Sequence, residues 1–155
     1  MTLQQFPDAC AFQPAMPKSK RWVSGIPTME LHLFWPTVGP MLERAIEHGD
    51  GGIKRWQVYD ALKELKLQLW VGRVGMEIEG VLVTEMQIRP AGKVCILRHA
   101  CGEDAAAWIK EGLPLIQAWA KAEGATVMEL QGRRGWAKIM GKPWRERWVV
   151  MQRSL

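Results

Sequence analysis

The chain has 155 residues, 48% of them hydrophobic, and carries a formal net charge of +5. This length and apolar content suit one compact domain with a buried core. No apolar run is long enough to span a bilayer, the N-terminus lacks the apolar segment of a secretory signal, and three cysteines form too sparse and odd a set for a disulfide framework. We therefore expect a soluble, intracellular protein with reduced thiols and no membrane contact, and some of its nine tryptophans should face a partner.

The positive charge is concentrated near the C-terminus. Residues 133–153 contain seven basic side chains and one acidic side chain. A basic end of this kind can bind nucleic acid, an acidic protein or the phosphate of a cofactor. It can equally be a solvated face that binds nothing, and the charge pattern favours this interpretation over any single partner.

Residues 1–27 are predicted to form an extended N-terminal arm, separate from a domain over residues 28–155. The stretch contains four prolines and no sustained helical or alternating pattern. Proline fixes its own φ and restricts the residue before it. The arm is either pinned against the domain by its aromatic residues or disordered, and the sequence leaves both open.

The domain is predicted to begin with a strand and two helices. Residues 29–35 alternate loosely and are rich in large apolar groups, which indicates a first strand. Pro36 and Pro40 then mark the start of a helix that glycines end near residue 49. Residues 54–66 have a second helical pattern, with their apolar side chains on one side.

Three strands follow. Residues 67–72 and 78–89 both alternate between apolar and polar side chains, which predicts two antiparallel strands joined by a turn near Gly75. Residues 94–97 are apolar on both faces. This pattern is typical of a strand covered on both sides, so we place it at the centre of the sheet.

A loop over residues 100–104 leads into a long helix. Trp108, Leu115 and Trp119 recur at helical spacing, and Pro114 predicts a kink or a break. The remaining elements are predicted to be a strand at 126–131, a short helix at 132–140 and a final strand at 144–152. The predicted fold class is therefore α+β, with a mixed, mostly antiparallel central sheet flanked by helices.

Four stretches carry a resemblance to a known family. They are Leu69-Trp70-Val71, Gly80-Val81-Leu82-Val83, Gly124 followed by a strand, and Gly132-Arg133-Arg134-Gly135-Trp136. Together with the order of the elements, they make residues 28–155 resemble the GNAT superfamily of N-acyltransferases, and most closely a group of small phage-encoded GNAT-like proteins.

The resemblance implies where a cofactor would bind. In the GNAT superfamily the loop after the fourth strand holds the pyrophosphate of acyl-CoA. If CoA binds here, the matching residues are Arg98, His99, Ala100, Cys101 and Gly102.

The chain departs from the family pattern at this loop. The family usually has two spaced glycines there, so that bare backbone amides can wrap the pyrophosphate, whereas this loop has one glycine followed by Glu103 and Asp104. These carboxylates can cap the next helix, with Asp104 as its N-cap, and they would repel a pyrophosphate. The only tyrosine, Tyr59, is in the second predicted helix, although many members use a tyrosine of the last helix as general acid. The comparison implies an eroded acyl-CoA site and no cofactor.

Glu85 is the candidate catalytic residue. It lies on the charged face of a central strand, where GNAT enzymes often place the base that deprotonates the substrate amine, directly or through water. The alternative is a solvated or ion-paired carboxylate, which the sequence alone favours.

His99 and Cys101 form a second candidate site. Two residues apart on an extended chain, they point to the same side, and a helix N-terminus near Cys101 would favour a thiolate. Glu103 and Asp104 oppose this, and a small buried cysteine beside a histidine is the favoured alternative. No metal site is expected, because the residues lack a recognisable ligand spacing.

The candidate partner-binding residues are Arg133, Arg134, Arg145 and Arg147. Arginine offers a planar set of donors that suits phosphates and carboxylates. Nucleic acid is disfavoured, because on a strand the tryptophans of residues 144–148 would face away from the arginines.

Two functions follow from these patterns. The favoured one is a phage-type GNAT-fold protein that binds a protein partner, either a phage structural protein or a host protein, in the host cytoplasm or the virion. The alternative is an N-acetyltransferase that uses acetyl-CoA with Glu85 or water as base.

Overall fold

The computed structural model describes residues 21–155. The five strands are β1 (Arg21–Ile26), β2 (Leu67–Val74), β3 (Glu77–Arg89), β4 (Gly92–Gly102) and β5 (Ala125–Leu130). The four helices are α1 (Leu31–Glu47), α2 (Arg55–Lys63), α3 (Ala105–Ala122) and α4 (Gly135–Met140). The strands form one sheet in chain order, antiparallel from β1 to β4 and parallel between β4 and β5. The predicted α+β class is confirmed.

One face of the sheet, which we call the α3 face, packs against α3. Its centre is a group of tryptophans. The Nε1 of Trp70 donates a hydrogen bond to Thr84 Oγ1 at 3.0 Å, and the ring of Trp70 meets that of Trp119 edge-on at 5.1 Å. Trp108, fully buried, lies beside them. Large rings that bury this much surface hold α3 on the sheet.

Glycines make room for Trp108 on three strands. A Cβ at Gly80 would lie 2.3 Å from the indole of Trp108, and one at Gly72 would lie 2.8 Å from it. A Cβ at Gly102 would meet the carbonyl oxygen of Glu79 at 2.5 Å. Because real contacts of this kind essentially never occur, only glycine fits beside the indole at these positions.

The opposite face, the α1 face, packs against α1 and α2. The buried side chains there are aliphatic: Ile26, Leu69, Val71, Val81 and Val83 from the sheet, and Leu31, Val38, Leu42, Val58 and Leu62 from the helices. Within each helix these residues recur at steps of seven or four, which gives the helix one apolar stripe. The fully buried tryptophans thus lie on the α3 face, and the buried side chains of the α1 face are aliphatic.

The predicted strand over residues 29–35 is wrong. Thr28–Glu30 form a single 3-10 turn, and α1 begins at Leu31 and continues through Pro36 and Pro40. The reason is that Leu31, Val38 and Leu42 recur at helical spacing and bury one stripe on the sheet.

The first strand lies instead within the predicted N-terminal arm of residues 1–27. β1 pairs with β2 over six residues and buries Val23 and Ile26. Prolines on both sides hid this strand, because they end a strand without forbidding one between them. The rest of the predicted arm, residues 1–20, lies outside the described residues.

Two further predictions near the C-terminus differ from the structure. The strand predicted over residues 144–152 does not form, since residues 141–155 contain neither helix nor strand. An alternating pattern gives a strand only where an edge pairs with it. Of the kink or break predicted at Pro114, the break is absent, because α3 runs unbroken from Ala105 to Ala122.

Candidate functional site between β4 and β5

The parallel strands β4 and β5 pair only as far as the end of β5. The pairing runs from Lys93 to Leu97, where Leu97 lies opposite Leu130, the last residue of β5. The N–H of Gln131 then donates to the carbonyl oxygen of Leu97 at 3.2 Å, and β4 continues to Gly102 paired with β3 alone. Beyond Leu97 this edge of β4 therefore has no neighbouring strand, and the gap left there opens on a cleft.

The cleft lies between β4, the end of β5, α3 and α4. Its enclosed part is small, about 20 Å³, and the rest of the space between its walls is open to solvent. Its walls are mainly apolar, with two polar residues: Leu82, Leu97, Ala100, Ile109, Leu130 and Trp136, together with Arg98 and Gln131. Concave, mostly apolar sites with a few placed polar groups are the usual form of small-molecule sites.

Arg98 occupies a bulge in β4. The register places Thr84 opposite Leu97 and Val83 opposite His99, so Arg98 has no residue opposite it on β3. Such a bulge bends the strand and redirects a side chain. The bend falls where β5 ends.

Glu85, the predicted base, forms an ion pair with Arg98. The guanidinium of Arg98 lies 2.6 Å from Glu85 Oε2, and its Nη1 donates to Gln131 Oε1 at 2.9 Å. Gln87 Nε2 donates to the other carboxylate oxygen at 3.3 Å. The structure thus brings two predicted site residues, Glu85 and Arg98, into contact. Both carboxylate oxygens of Glu85 already accept hydrogen bonds, one from Arg98 and one from Gln87.

A second ion pair lies further along the same face. Arg89 contacts both carboxylate oxygens of Glu129, with Nη2 3.0 Å from Oε2. These hydrogen bonds lower the pKa of Glu129, and burial partly opposes them. Outside its aliphatic core, the α1 face therefore carries charged side chains that form ion pairs with one another.

His99 and Cys101 lie on the α1 face, opposite Val83 and Val81. Both are half-buried, and Cys101 is a free thiol. Burial lowers the pKa of His99 and the charge of Arg98 lowers it further, while Asp50 and Glu85 act in the opposite direction. His99 is therefore a neutral imidazole at pH 7.

The five residues predicted to hold a pyrophosphate, residues 98–102, all lie within β4 rather than in a loop. The connection to α3 is only Glu103 and Asp104. Asp104 stands at the N-cap position with φ +50°, yet its side chain makes no capping hydrogen bond. Its carboxylate accepts a hydrogen bond from Arg21 Nη2 at 2.7 Å instead.

Arg21 links three elements at this end of the sheet. Besides Asp104, it contacts Glu79 Oε2 at 3.3 Å. The negative charge of Asp104, which the sequence suggested would face an incoming phosphate, is therefore compensated by β1. Sequence reasoning missed this contact because Arg21 was placed in the arm.

The four predicted partner-binding arginines are all exposed. Arg134 pairs with Glu146 at 3.4 Å, which ties the start of α4 to residues 141–155. The charge of Arg147 contributes to the lowered pKa of Glu129, so this part of the chain lies near β5. The arginines form no common cluster with the cleft residues.

Two residues of the site had no signal in the sequence. Gln131 follows an unremarkable strand, and Asp50 lies in a glycine-rich turn between helices. Their roles depend on which strands and loops become neighbours, and residue type alone does not give that.

Solved structures provide the comparison for this geometry. A scan against protein-family models finds no match, and neither does a search of the curated proteins. An aminoglycoside acetyltransferase, meta-AAC0020, from an uncultured soil metagenomic sample, solved in complex with sisomicin, is 14% identical with a TM-score of 0.62; the match covers 88% of this chain and 97% of that one. The chain has a GNAT fold.

Two further GNAT structures extend the comparison. Aminoglycoside N-acetyltransferase AAC(6')-Iy in complex with CoA is 10% identical with a TM-score of 0.63, covering 92% of this chain and 100% of that one. Ribosomal-protein-alanine N-acetyltransferase from Brucella melitensis biovar Abortus 2308 is 10% identical with a TM-score of 0.56, covering 84% and 99%. The predicted GNAT-like fold is confirmed. These matches give no support to the predicted phage-encoded group.

No helix within residues 21–155 combines the length and apolar character needed to cross a membrane. In the same part of the chain, no three or more histidine, cysteine, aspartate or glutamate side chains are grouped so that they could hold a metal ion.

Proposed function

We propose that the protein binds acetyl-CoA in the cleft between β4 and β5 and transfers the acetyl group to an amine. The observation that carries this proposal is the end of β5 at Leu130 while β4 continues to Gly102, which leaves an apolar cleft beside α3. The sequence favoured an eroded site because of two carboxylates. Compensation of Asp104 by Arg21 removes one of the two objections.

The residues present fit this cofactor in most respects. Leu82, Leu97 and Ile109 supply apolar walls for an alkyl arm. At the start of α3 the N–H groups of Ala105 and Ala106 have no hydrogen-bond partner in the described chain, and such groups suit a phosphate. Glu103 is the residue that opposes it. When bound, acetyl-CoA supplies a thioester carbonyl to which an amine nitrogen can bond as the C–S bond breaks.

Isothermal titration calorimetry with acetyl-CoA tests the proposal. We expect saturable binding to the wild type, and Glu103→Gln should tighten it by about two- to fivefold because one negative charge leaves the helix N-terminus. Glu111→Gln, an exposed acid further along α3, is the matched control and should leave affinity unchanged. Absence of saturation at millimolar acetyl-CoA would refute the proposed function.

A second candidate is binding of an acidic protein through Arg133, Arg134, Arg145 and Arg147. The observation that favours it is an exposed apolar run beside the last two arginines: Trp148, Val149, Val150 and Met151 are each at least 58% exposed. Exposed apolar residues rimmed by charge are typical of interaction surfaces. The partner would be a phage structural or host protein if the chain is phage-encoded.

Charge reversal separates the two candidates. Arg145→Glu with Arg147→Glu should abolish capture of a partner from infected cells or purified virions while leaving acetyl-CoA affinity unchanged. Unaltered capture by the double variant would rule out this surface.

A further inference from the structure

We propose that His99 takes the proton from the acceptor amine, and that Glu85 acts only by positioning Arg98. This inference rests on the proposed function and deepens it, since it assigns the base of the same site. It replaces Glu85, which the sequence offered as the candidate base while favouring a solvated or ion-paired carboxylate at that position.

The location of His99 is the first part of the argument. It is the first residue after the Arg98 bulge and lies two positions beyond Leu97, the last residue of β4 that pairs with β5. Its side chain is half-buried on the α1 face, whereas the apolar cleft opens on the α3 face. A group held in the gap between the strands would therefore have the cleft on one side and His99 on the other.

Glu85 is poorly suited to accept a proton. Both of its oxygens already accept hydrogen bonds, one from Arg98 at 2.6 Å and one from Gln87 at 3.3 Å. An acceptor amine would have to displace one of these donors before it could reach a carboxylate oxygen of Glu85. Taking a proton at Glu85 would also leave Arg98, only 31% exposed, without its counter-charge.

His99 has the complementary properties. The charged groups that act on it are Arg98 from its own strand, Glu85 from β3 and Asp50 from the loop between α1 and α2. Burial and Arg98 keep the imidazole neutral at pH 7, so a ring nitrogen has a lone pair available. Once protonated, the ring is stabilised by Glu85 and Asp50.

The proton balance is simple. As the amine nitrogen bonds to the acyl carbon and the thioester C–S bond breaks, the electron pair of that bond leaves with sulfur. The proton lost by the nitrogen goes to a ring nitrogen of His99, which returns it to water before the next turnover.

The first experiment needs no acceptor. Diethyl pyrocarbonate modifies neutral imidazoles, and peptide mass spectrometry distinguishes His99 from His32 and His48, which are both exposed. We expect acetyl-CoA to slow modification of His99 at least tenfold and to leave the other two unchanged. Calorimetric binding without protection of His99 would overturn this inference and leave the proposed function standing; absence of binding would overturn the proposed function.

The second experiment separates a base from a positioning residue. The probe acceptors are sisomicin and a peptide with an N-terminal alanine. We expect His99→Gln to lower kcat about a hundredfold or more, with KM for acetyl-CoA unchanged, and to remove the acidic limb of the kcat/KM profile, whose midpoint lies below 6.5. Glu85→Gln should lower kcat less and keep that limb.

His32→Gln is the control, and His99→Asn repeats the test if His99→Gln melts early. Loss of the limb in Glu85→Gln and its retention in both His99 variants would contradict the proposal.

Discussion

The β2–β3 pair and the β4–β5 pair belong to one sheet but are built differently. β2 and β3 pair over eight residue positions, with Trp70 buried on one face and Val71 and Val81 on the other. β4 and β5 pair over five positions, and Arg98 and Gln131 line the gap beyond them. Buried side chains on both faces hold β2 and β3 together. Beyond the short β4–β5 pairing this packing is missing, and the cleft lies there.

The difference shows where stability and function are located in this chain. Apolar side chains on both faces keep strands together because separating them would expose a large apolar area. Charged side chains that pair with one another on the sheet surface allow strands to end their pairing at little cost. Substitutions in the two regions should therefore differ in kind, large in stability for the first and large in activity for the second.

The largest stability effect is expected at Trp108. Trp108→Ala removes a fully buried ring that packs against β2, β3 and β4, and we expect a loss of about 3–5 kcal/mol in the free energy of unfolding. Urea denaturation followed by circular dichroism measures this. Trp148→Ala, at a side chain 58% exposed, is the control and should change stability little. Equal losses in the two variants would contradict the picture of a closed β2–β3 region.

A smaller loss is expected at Gly80. In Gly80→Ala the new Cβ meets the Trp108 indole at 2.3 Å, so the ring or the strand must shift, at a cost of about 1–3 kcal/mol. Gly135→Ala, where no atom lies within 4 Å of the new Cβ, is the matched control. The same denaturation measurement applies, and a stable Gly80→Ala variant would show that the indole is loosely held.

Much of this contrast could be predicted from the sequence. Alternation gave β2 and β3, and the doubly apolar run gave the centre of β4, because each pattern follows from a strand buried on one or both faces. The first strand was missed, since six residues between prolines carry too little periodicity. Residues 29–35 were assigned to a strand although Leu31, Val38 and Leu42 already followed a helical repeat.

The site was harder to predict than the fold. Glu85 and Arg98 were both named, but their contact depends on a bulge that no local pattern announces. The sequence shows the negative charge of Asp104 but not its ion pair with Arg21, because Arg21 lies 83 positions away in the chain. Long-range ion pairs decide the electrostatics of this cleft, and a single sequence does not reveal them.

The Arg89–Glu129 ion pair should contribute modestly to the free energy of unfolding, and this contribution should depend on pH. The pKa of Glu129 is lower in the folded chain than its ordinary value of 4.5 in the unfolded chain. The ion pair therefore stabilises the fold at pH values above 4.5, and this stabilisation is lost as the pH falls through the pKa of the folded state. Glu129→Gln should therefore cost about 1 kcal/mol or less at pH 7 and nothing near pH 2. Urea titrations at both pH values check this, with Glu111→Gln as control; a loss that persists at pH 2 would point to packing instead.

The smallest effect concerns the two cysteines of β4, and it is a difference in labelling rate rather than in stability. Burial raises the pKa of the Cys95 thiol to about 12, and this residue lies within the paired part of the strand. Cys101 lies beyond the part paired with β5 and is half-buried. We expect iodoacetamide at pH 8 to modify Cys101 in the folded protein and Cys95 only after unfolding, as read by peptide mass spectrometry. Labelling of both at one rate would mean that β4 opens as a whole.

The fit of Trp108 against Gly72 and Gly80 has a consequence for how this chain can diverge over evolution. As long as residue 108 is tryptophan, any side chain at positions 72 and 80 is destabilising, although both lie in strands where glycine is intrinsically unfavourable. Replacement of the indole by a smaller ring would release both positions at once. These sites should therefore covary among homologues, and Gly80→Ala should cost less stability in a Trp108→Phe background than in the parent chain.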